Sequence, residues 1–172
     1  TEDLMKILLT GGSGFIGKYL TPKLSQHDVY HLKSDLRDYD KVREEVLAFQ
    51  PNVLIHLAAR TEVESSFYEQ ITFSEVNYVG SVNLIEACKD VEDFQLFLFA
   101  STMETYGWQE VSDLVEKGNS LHWAQDYAFD EDTPQNANAP YAVAKVAVEK
   151  YLEYAARSYD LPWAAIRQTN CY

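Results

Sequence analysis

Cationic residues are scarce in this chain: 14 lysines and arginines stand against 27 aspartates and glutamates, giving a formal net charge of -13. A surface of that sign repels phosphate backbones and anionic lipid, so we expect neither nucleic acid nor a membrane as a partner. The apolar runs are also much shorter than the roughly 20 residues that cross a bilayer. The acidic residues 1–4 lead straight into a predicted strand and do not have the pattern of a signal peptide.

Cysteine and histidine are also few. Cys88 and Cys171 are the only cysteines, and no metal-ligand spacing surrounds them. Two thiols in such a chain indicate buried small side chains and a reducing, cytoplasmic compartment. The four histidines are scattered without the spacing of a zinc site, so we expect no metal centre.

Apolar residues, in contrast, make up 47% of the 172 residues, which predicts one globular domain with a sizeable core. Short apolar runs alternate with helix-like segments along the chain. We predict strands at about 5–10, 29–32, 53–57, 94–100 and 163–167, and helices at about 15–25, 38–49, 67–87 and 141–159. This alternation predicts an α/β fold, a doubly wound parallel sheet covered by helices on both faces.

A glycine-rich turn, T-G-G-S-G-F-I-G at positions 10–17, joins the first predicted strand to the first predicted helix. Glycines let the backbone turn sharply and approach a pyrophosphate, and the start of the helix presents free N–H groups to that anion. Gly17 removes side-chain bulk where the helix meets the sheet. We therefore predict that Gly11, Gly14, Phe15, Ile16 and Gly17 bind a dinucleotide cofactor.

The residues after the second predicted strand bear on the choice between NAD and NADP. That strand commonly ends in an acid that holds the adenosine ribose, whereas here Lys33 follows it. A cation suits a 2′-phosphate, but a solvated lysine is the alternative interpretation, and Asp35 could instead bind the ribose or the adenine. The predicted cofactor is therefore NAD(P), with a slight preference for NADP.

A Y-x-x-x-K spacing on the last predicted helix places Tyr141 and Lys145 on one face. An ammonium near a phenol lowers its pKa from about 10, so that the phenol can exchange a proton with a substrate hydroxyl while hydride moves to or from a nicotinamide. Thr102, just after strand 94–100, could share a hydrogen bond with Tyr141 and the substrate oxygen. Glu104 could take a proton from a carbon beside a ketone, or be an ordinary loop carboxylate.

These motifs resemble the extended short-chain dehydrogenase/reductase family of nucleotide-sugar epimerases and dehydratases. The matching segments are 10–17, 35–38 (D-L-R-D), 56–59 (H-L-A-A), 77–81 (N-Y-V-G-S), 101–107, 141–145 and 167–170. They occur in the family's order and span almost the whole chain. The resemblance implies a Rossmann-type NAD(P)-binding domain over residues 1–172.

The resemblance also implies roles for individual residues. Thr102, Tyr141 and Lys145 would form a catalytic triad, in which Tyr141 and Lys145 also contact the cofactor. Thr102 and Asn170 would contact the substrate. The further residues that it assigns to the cofactor site are Leu36, Leu57, Ala58, Ala59 and Asn77, and Asn77 would buttress the sheet and that site.

The implied activity is oxidation of a nucleotide-sugar hydroxyl, at C4, by bound NAD(P)+, followed by epimerisation, dehydration or decarboxylation and by return of the hydride. Met103 stands where dTDP-glucose dehydratases have an acid. Because a thioether cannot donate a proton, this difference argues against dehydration of the dTDP-glucose type. One alternative is an NADPH-dependent reductase of a keto sugar or other carbonyl compound. A second is a non-catalytic dinucleotide-binding module.

The chain departs from the family's pattern in two places. About 34 residues separate Tyr106 from Tyr141, longer than is usual, and the extra segment 108–138 could be a lid over the substrate, a surface feature or an oligomer contact. The sequence stops at Tyr172, where family members continue into a C-terminal substrate domain. We therefore expect a truncated form of a longer enzyme. The helices near 67–87 and 141–159 pair subunits in the family, which implies a homodimer.

Overall fold

The computed structural model describes residues 4–107, 114–117, 120–123 and 129–169. The strands in these ranges are β1 (Lys6–Thr10), β2 (Asp28–His31), β3 (Val53–His56), β4 (Leu96–Ala100), β5 (Leu114–Lys117), β6 (Ser120–Trp123) and β7 (Trp163–Ile166). The α-helices are α1 (Phe15–Leu20), α2 (Tyr39–Phe49), α3 (Val63–Ser66), α4 (Gln70–Ser74), α5 (Gly80–Cys88) and α6 (Pro140–Tyr159).

Five of the strands form one parallel sheet in the order β2-β1-β3-β4-β7. The chain passes from β1 to β2 on one side and then returns to place β3 on the other side of β1. The strand order therefore reverses between β1 and β3, and the carboxyl ends of these two strands border the crevice where ligands bind in open α/β sheets.

Alternation along the strands divides the core into two layers, because successive side chains point to opposite faces. On one face, Leu8 of β1 packs with Leu54 and Phe97 against helices α2, α5 and α6. On the other face, Ile7 and Leu9 pack with the α1 segment. Helices on both faces explain the near-continuous apolar strands, and the predicted doubly wound α/β fold is confirmed.

The predicted helix 15–25 is shorter than expected. Helix α1 ends at Leu20, and residues Thr21–Leu24 form a 3-10 turn. Pro22 has no N–H with which to continue the α-helical bonding, so the tighter turn replaces it. The Thr21 hydroxyl donates to the Gly17 carbonyl at 2.8 Å and closes the end of the helix.

The helical stretch predicted at about 67–87 begins at Gln70 and runs without a gap to Cys88, as α4, a π-helical turn at Glu75–Val79 and α5. Asn77 lies inside the π turn with its side chain bonded to the loop after β3. A tertiary contact of this kind leaves no trace in hydrophobic periodicity. The predicted bounds of α2 and α6 differ from the observed ones by one residue.

The segment 108–138 contains the antiparallel hairpin β5–β6, which the sequence did not predict. Residues 108–113, 118–119 and 124–128 lie outside the described part of the chain, so the lid remains a prediction. Over the ranges that are described, no helix combines the length and the apolar character that a bilayer crossing requires.

Candidate dinucleotide and catalytic site

A groove of about 460 Å³ opens at the carboxyl edge of the sheet, where the strand order reverses. The predicted cofactor residues that line it are Gly11, Gly14, Phe15, Ile16, Gly17, Leu57, Ala58 and Ala59. The groove also includes Val76, Ala100 and Gln168, which sequence reasoning did not select. The glycine turn and the segment after β3 therefore form its two walls.

The glycine turn is packed too closely for side chains at two positions. Gly11 has φ of 71°, and a Cβ there would lie 2.6 Å from the Ala58 backbone nitrogen. A Cβ at Gly17 would lie 2.5 Å from Gly12 Cα. Both clashes involve backbone atoms, which cannot move without deforming the turn. The shape of the groove therefore depends on close contact between the backbone of the glycine turn and the backbone around Ala58.

A neutral hydrogen-bond network behind the groove ties β1 to β3 and α5. Ser81 Oγ donates to the Asn77 carbonyl at 2.7 Å, so it accepts from His56 Nε2 at 2.8 Å. His56 Nδ1 is then an acceptor, and Thr10 Oγ1 donates to it at 2.7 Å. Thr10 Oγ1 in turn accepts from the Ala58 N–H at 3.1 Å. Burial lowers the pKa of His56 to about 3, with a smaller effect from the charge of Lys145.

Asn77 acts on the same wall of the groove without lining it. Its side chain is buried, with Oδ1 accepting from the Arg60 N–H and Nδ2 donating to the Arg60 carbonyl, both at 2.8 Å. These two bonds hold the segment that follows Ala59. The predicted buttressing by Asn77 therefore has a geometric counterpart in the π turn of the helix.

Thr102, Tyr141 and Lys145 meet beside the groove, and all three are buried. Tyr141 and Thr102 share a side-chain hydrogen bond. Lys145 Nζ donates to the Ala100 carbonyl at 2.7 Å and lies 5.9 Å from the centroid of the Tyr141 ring. Because Ala100 also lines the groove, this cluster adjoins the space between the glycine turn and β4.

The electrostatics of Tyr141 differ from the expectation. The helical spacing predicts that Lys145 lowers the pKa of the phenol, whereas burial and the charge of Glu104 raise it, outweighing the hydrogen bond with Thr102. Burial also lowers the pKa of Lys145 to about 8, although the charge of Glu149 opposes that change. The Lys145 ammonium donates its hydrogen bond to the Ala100 carbonyl and not to the phenol, although it lies 5.9 Å from the centroid of the Tyr141 ring.

Glu104 lies on a 3-10 turn, Met103–Tyr106, whose N-cap residue is Thr102. The Glu104 N–H donates to Thr102 Oγ1 at 3.2 Å. Its carboxylate is near enough to raise the pKa of Tyr141. The turn therefore places the predicted acid–base residue next to the predicted triad.

A charged network, which sequence reasoning missed, lies one helical turn beyond Lys145. Arg167 Nη2 is 2.7 Å from the buried carboxylate of Glu149, and Ser101 Oγ and Gln135 Nε2 also donate to that carboxylate. Arg167 additionally donates to the Tyr106 hydroxyl at 3.2 Å. The signal was present in the sequence, since Glu149 follows Lys145 by four residues and so lies on the same face of α6.

Six predicted cofactor residues do not line the groove: Asn77, Tyr141 and Lys145, described above, and also Lys33, Asp35 and Leu36. Asp35 is paired with Arg37 at 2.6 Å, mainly through a hydrogen bond that lowers the pKa of Asp35 to about 2. Leu36 is buried in the core, where a Cβ at Gly80 would lie 2.7 Å from it. Lys33 Nζ lies 5.5 Å from the centre of the Tyr30 ring.

Asn170, the predicted substrate contact, lies outside the described residues. A larger cavity of about 820 Å³ borders Met103, Arg167 and Thr169 near the end of β7. It is not lined by the glycine turn, so it is distinct from the dinucleotide groove.

Comparison with known proteins places these features in a family context. A model described as the NAD dependent epimerase/dehydratase family matches residues 7–172. The dTDP-D-glucose 4,6-dehydratase of Dictyostelium discoideum is 28% identical, with 98% of this chain and 44% of the relative covered. The UDP-glucose 4-epimerase of Mycolicibacterium smegmatis is 30% identical, with 98% and 56% covered. The chain spans about half the length of these relatives.

Solved structures show the same fold. The UDP-glucose 4-epimerase of Thermus thermophilus, crystallised in complex with NAD, superposes with a TM-score of 0.78 at 29% identity. The match covers 95% of this chain and 54% of that one. The similarity therefore extends over nearly all of the chain.

Proposed function

The chain belongs to the NAD dependent epimerase/dehydratase family, and from that premise we propose that it is the cofactor-binding and catalytic part of a nucleotide-sugar-modifying enzyme. One observation carries the proposal: Lys145 binds the carbonyl of Ala100, a residue that also lines the glycine groove. The cluster of Thr102, Tyr141 and Lys145 is therefore adjacent to the space in which a dinucleotide would lie.

The groove fits a nicotinamide dinucleotide, because its floor lacks the side chains that would exclude one. A Cβ at Gly11 or Gly17 would meet backbone, so this turn is bare where a pyrophosphate must approach. Gly11, Gly14, Ile16, Ala58 and Ala59 would hold the cofactor. When bound, a nicotinamide supplies the acceptor and later the donor of hydride. The NAD complex of the similar T. thermophilus epimerase supports this class of cofactor.

In the proposed reaction, Tyr141 takes the proton of the sugar hydroxyl at C4, while C4 itself is oxidised by loss of hydride to the nicotinamide. Thr102 orients the phenol through their shared hydrogen bond. Lys145, held by the Ala100 carbonyl, supplies positive charge near the ring of Tyr141. Burial raises the pKa of Tyr141, so the phenol must lose its own proton before it can accept that of the sugar hydroxyl.

Glu104 determines which reactions the site can add to the oxidation. The charge of Glu104 raises the pKa of Tyr141, so the two side chains lie close to each other. From such a position Glu104 could remove a proton from the carbon next to the new ketone. The relatives include both an epimerase and a dehydratase, so we propose an epimerase or dehydratase that retains its nucleotide. The substrate is a nucleotide sugar in either case.

The test is to incubate the complete gene product with UDP- and dTDP-hexoses and to identify the products by chromatography, which separates epimers of equal mass, coupled to mass spectrometry, which detects loss of water. We expect turnover without added cofactor, and we expect Tyr141→Phe to reduce it by about 10²- to 10⁴-fold. Tyr39→Phe, an exposed tyrosine on α2, is the matched control. Full activity in Tyr141→Phe would contradict the proposal, and stoichiometric consumption of NADPH would indicate a reductase instead.

We also propose that the enzyme is a homodimer. Large apolar side chains are exposed on adjacent parts of the α3–α6 region: Phe67, Tyr68, Ile71, Val79, Val143 and Tyr154. A self-complementary apolar surface of this kind suits a second copy of the chain. Sedimentation analysis should give a dimer for the unaltered protein and a monomer for Ile71→Glu, and a monomeric unaltered protein would contradict it.

A further inference from the structure

The carboxyl end of β2 faces the glycine turn through a residue that the motifs did not select. His31 is the last residue of β2 and follows Gly11 by 20 positions, while Lys33 follows Gly11 by 22, so both lie near the spacing of about 20 at which an acid usually binds the adenosine ribose. Its imidazole lies directly against Gly12, since a Cβ on that glycine would be 2.5 Å from His31 Cε1. The ring is solvent-exposed at this position.

Glu45 of α2 binds the two residues Lys33 and Ser34, at the start of the loop between β2 and α2. Its carboxylate accepts from the backbone N–H groups of Lys33 and Ser34, at 3.0 and 2.8 Å, and also from the Ser34 hydroxyl. The Tyr30 hydroxyl donates to the same carboxylate at 2.8 Å. These bonds hold the start of the β2–α2 loop against α2.

The side chain of Lys33 lies on the α2 side as well. Its ammonium lies over the ring of Tyr30, at 5.5 Å, and Tyr30 itself stacks on Phe49 at the end of α2. The cation that favoured NADP in the sequence therefore lies on the α2 side of the loop, whereas His31 lies on the glycine side.

We propose that His31, and not Lys33, contacts the 2′ position of the adenosine ribose and sets the discrimination between NAD and NADP. The proposal rests on the proposed function, because it assumes that the dinucleotide lies in the glycine groove. An imidazole can donate a hydrogen bond to a 2′-hydroxyl or to a 2′-phosphate, whereas a carboxylate accepts from the hydroxyl and repels the phosphate, so the side chain at this position fixes the relative affinity for the two nucleotides. Glu45 assists by keeping Lys33 and Ser34 bound to α2.

The test introduces a negative charge at each of the two positions. The dissociation constants of NADH and NADPH are measured by nucleotide fluorescence for the unaltered protein, His31→Asp and Lys33→Asp. We expect His31→Asp to raise the ratio of the NADPH constant to the NADH constant by about tenfold or more, through repulsion of the 2′-phosphate. Lys33→Asp should change that ratio by less than about threefold, since solvent screens the more distant charge.

A larger change in the ratio for Lys33→Asp than for His31→Asp, or equal changes, would overturn the assignment. Failure of the unaltered protein to bind either nucleotide would instead overturn the proposed function on which the assignment rests. Circular dichroism of each variant establishes that it is folded. His31→Ala provides a second variant at this position, in which the ratio should shift less than in His31→Asp because no charge is introduced.

The role of Glu45 has its own test. Glu45→Ala releases the backbone N–H groups of residues 33 and 34, so Lys33 becomes free to approach the ribose. In that background, Lys33→Asp should alter the nucleotide ratio more than it does in the unaltered protein. The same small effect in both backgrounds would contradict the proposed restraint by Glu45.

Discussion

Two buried polar networks support the two halves of the candidate site, and they differ in charge. Thr10, His56 and Ser81 form the network behind the glycine groove, where every group is neutral. Glu149 and Arg167 form the core of the network behind the catalytic cluster, where an ion pair 2.7 Å long is joined by neutral donors. Both lie at the carboxyl edge of the same sheet.

The difference in charge predicts how each network responds to acid and to mutation. We call the glycine groove with its neutral network the cofactor half, and the cluster of Thr102, Tyr141 and Lys145 with its charged network the catalytic half. Burying neutral groups that are hydrogen-bonded to one another costs less free energy than burying charges. The neutral network, however, contains the His56 imidazole, and burial opposes its protonation.

The ion pair keeps its charges because a hydrogen bond with Glu149 is the main cause of the raised Arg167 pKa. The Glu149 side chain is 3% exposed and that of Arg167 21%, so removal of Arg167 leaves a buried carboxylate without its cation. The cofactor half should therefore be sensitive to acid, and the catalytic half to truncation of one partner.

Removal of Arg167 gives the largest expected effect. Arg167→Met leaves the carboxylate of Glu149 buried without its cation, which should lower the free energy of unfolding by about 3–5 kcal/mol. Urea denaturation measures this loss. Arg157→Met, which removes an exposed ion pair with Glu153 on the same helix, is the control and should leave the unfolding midpoint unchanged. Similar midpoints for the two variants would remove the distinction between the networks.

A methyl group in the glycine turn should have the next largest effect, because the cofactor half depends on backbone packing. A Cβ at Gly17 would be 2.5 Å from Gly12 Cα, so Gly17→Ala should cost about 1–3 kcal/mol of folding free energy. At Gly14 a Cβ would meet only the Gly11 carbonyl oxygen, at 3.2 Å. Gly14→Ala should therefore be the milder substitution in urea denaturation, and the reverse order would be evidence against this packing.

Acid should weaken the neutral network through His56. The pKa of His56 is about 3 in the fold and 6.5 ordinarily, so between these values the unfolded chain binds a proton that the folded one does not. Stability then falls as the pH falls, by about 1.2 kcal/mol between pH 6 and pH 5. Denaturation at the two pH values measures the change. His56→Gln cannot titrate, and an unchanged pH dependence in that variant would assign the loss to other groups.

Mild alkali should raise the free energy of unfolding through Lys145, by slightly less than acid lowers it through His56. Its pKa is about 8 in the fold and 10.5 ordinarily, so above pH 8 the folded chain releases a proton that the unfolded chain retains. Stability should rise by about 1 kcal/mol between pH 8 and pH 9. The comparison is with Lys145→Met, in which this rise should be lost. A fall in stability over that interval would show that the ammonium is favoured by the fold.

The contrast between the halves also explains how far sequence reasoning could reach. The glycine turn and Y-x-x-x-K are local patterns, so Gly11, Gly17, Tyr141 and Lys145 could be selected from spacing alone, and the fold class and family prediction are confirmed. The networks behind them join residues such as Ser101 and Glu149, which are 48 positions apart. No periodicity records a contact over that separation.

Lys33 illustrates the same limit within the cofactor half. Its charge and its place after β2 made it a candidate for the 2′-phosphate, and both properties are visible in the sequence. Its direction depends on Glu45, a residue of the following helix that binds the backbone of the loop. The choice between NAD and NADP therefore stays a prediction that the nucleotide titrations can test.

The amino-acid sequence by itself determined the alternation of strands and helices, the bare glycine turn and the position of the phenol one helical turn from an ammonium, because each depends on neighbours within a few residues. Only the tertiary structure decided the proton affinities of that pair. Burial raises the pKa of Tyr141 and lowers that of Lys145, and the ammonium binds the Ala100 carbonyl of a distant strand. Solvent exclusion is produced by the packed sheet and helices together, so no short stretch of residues can encode it.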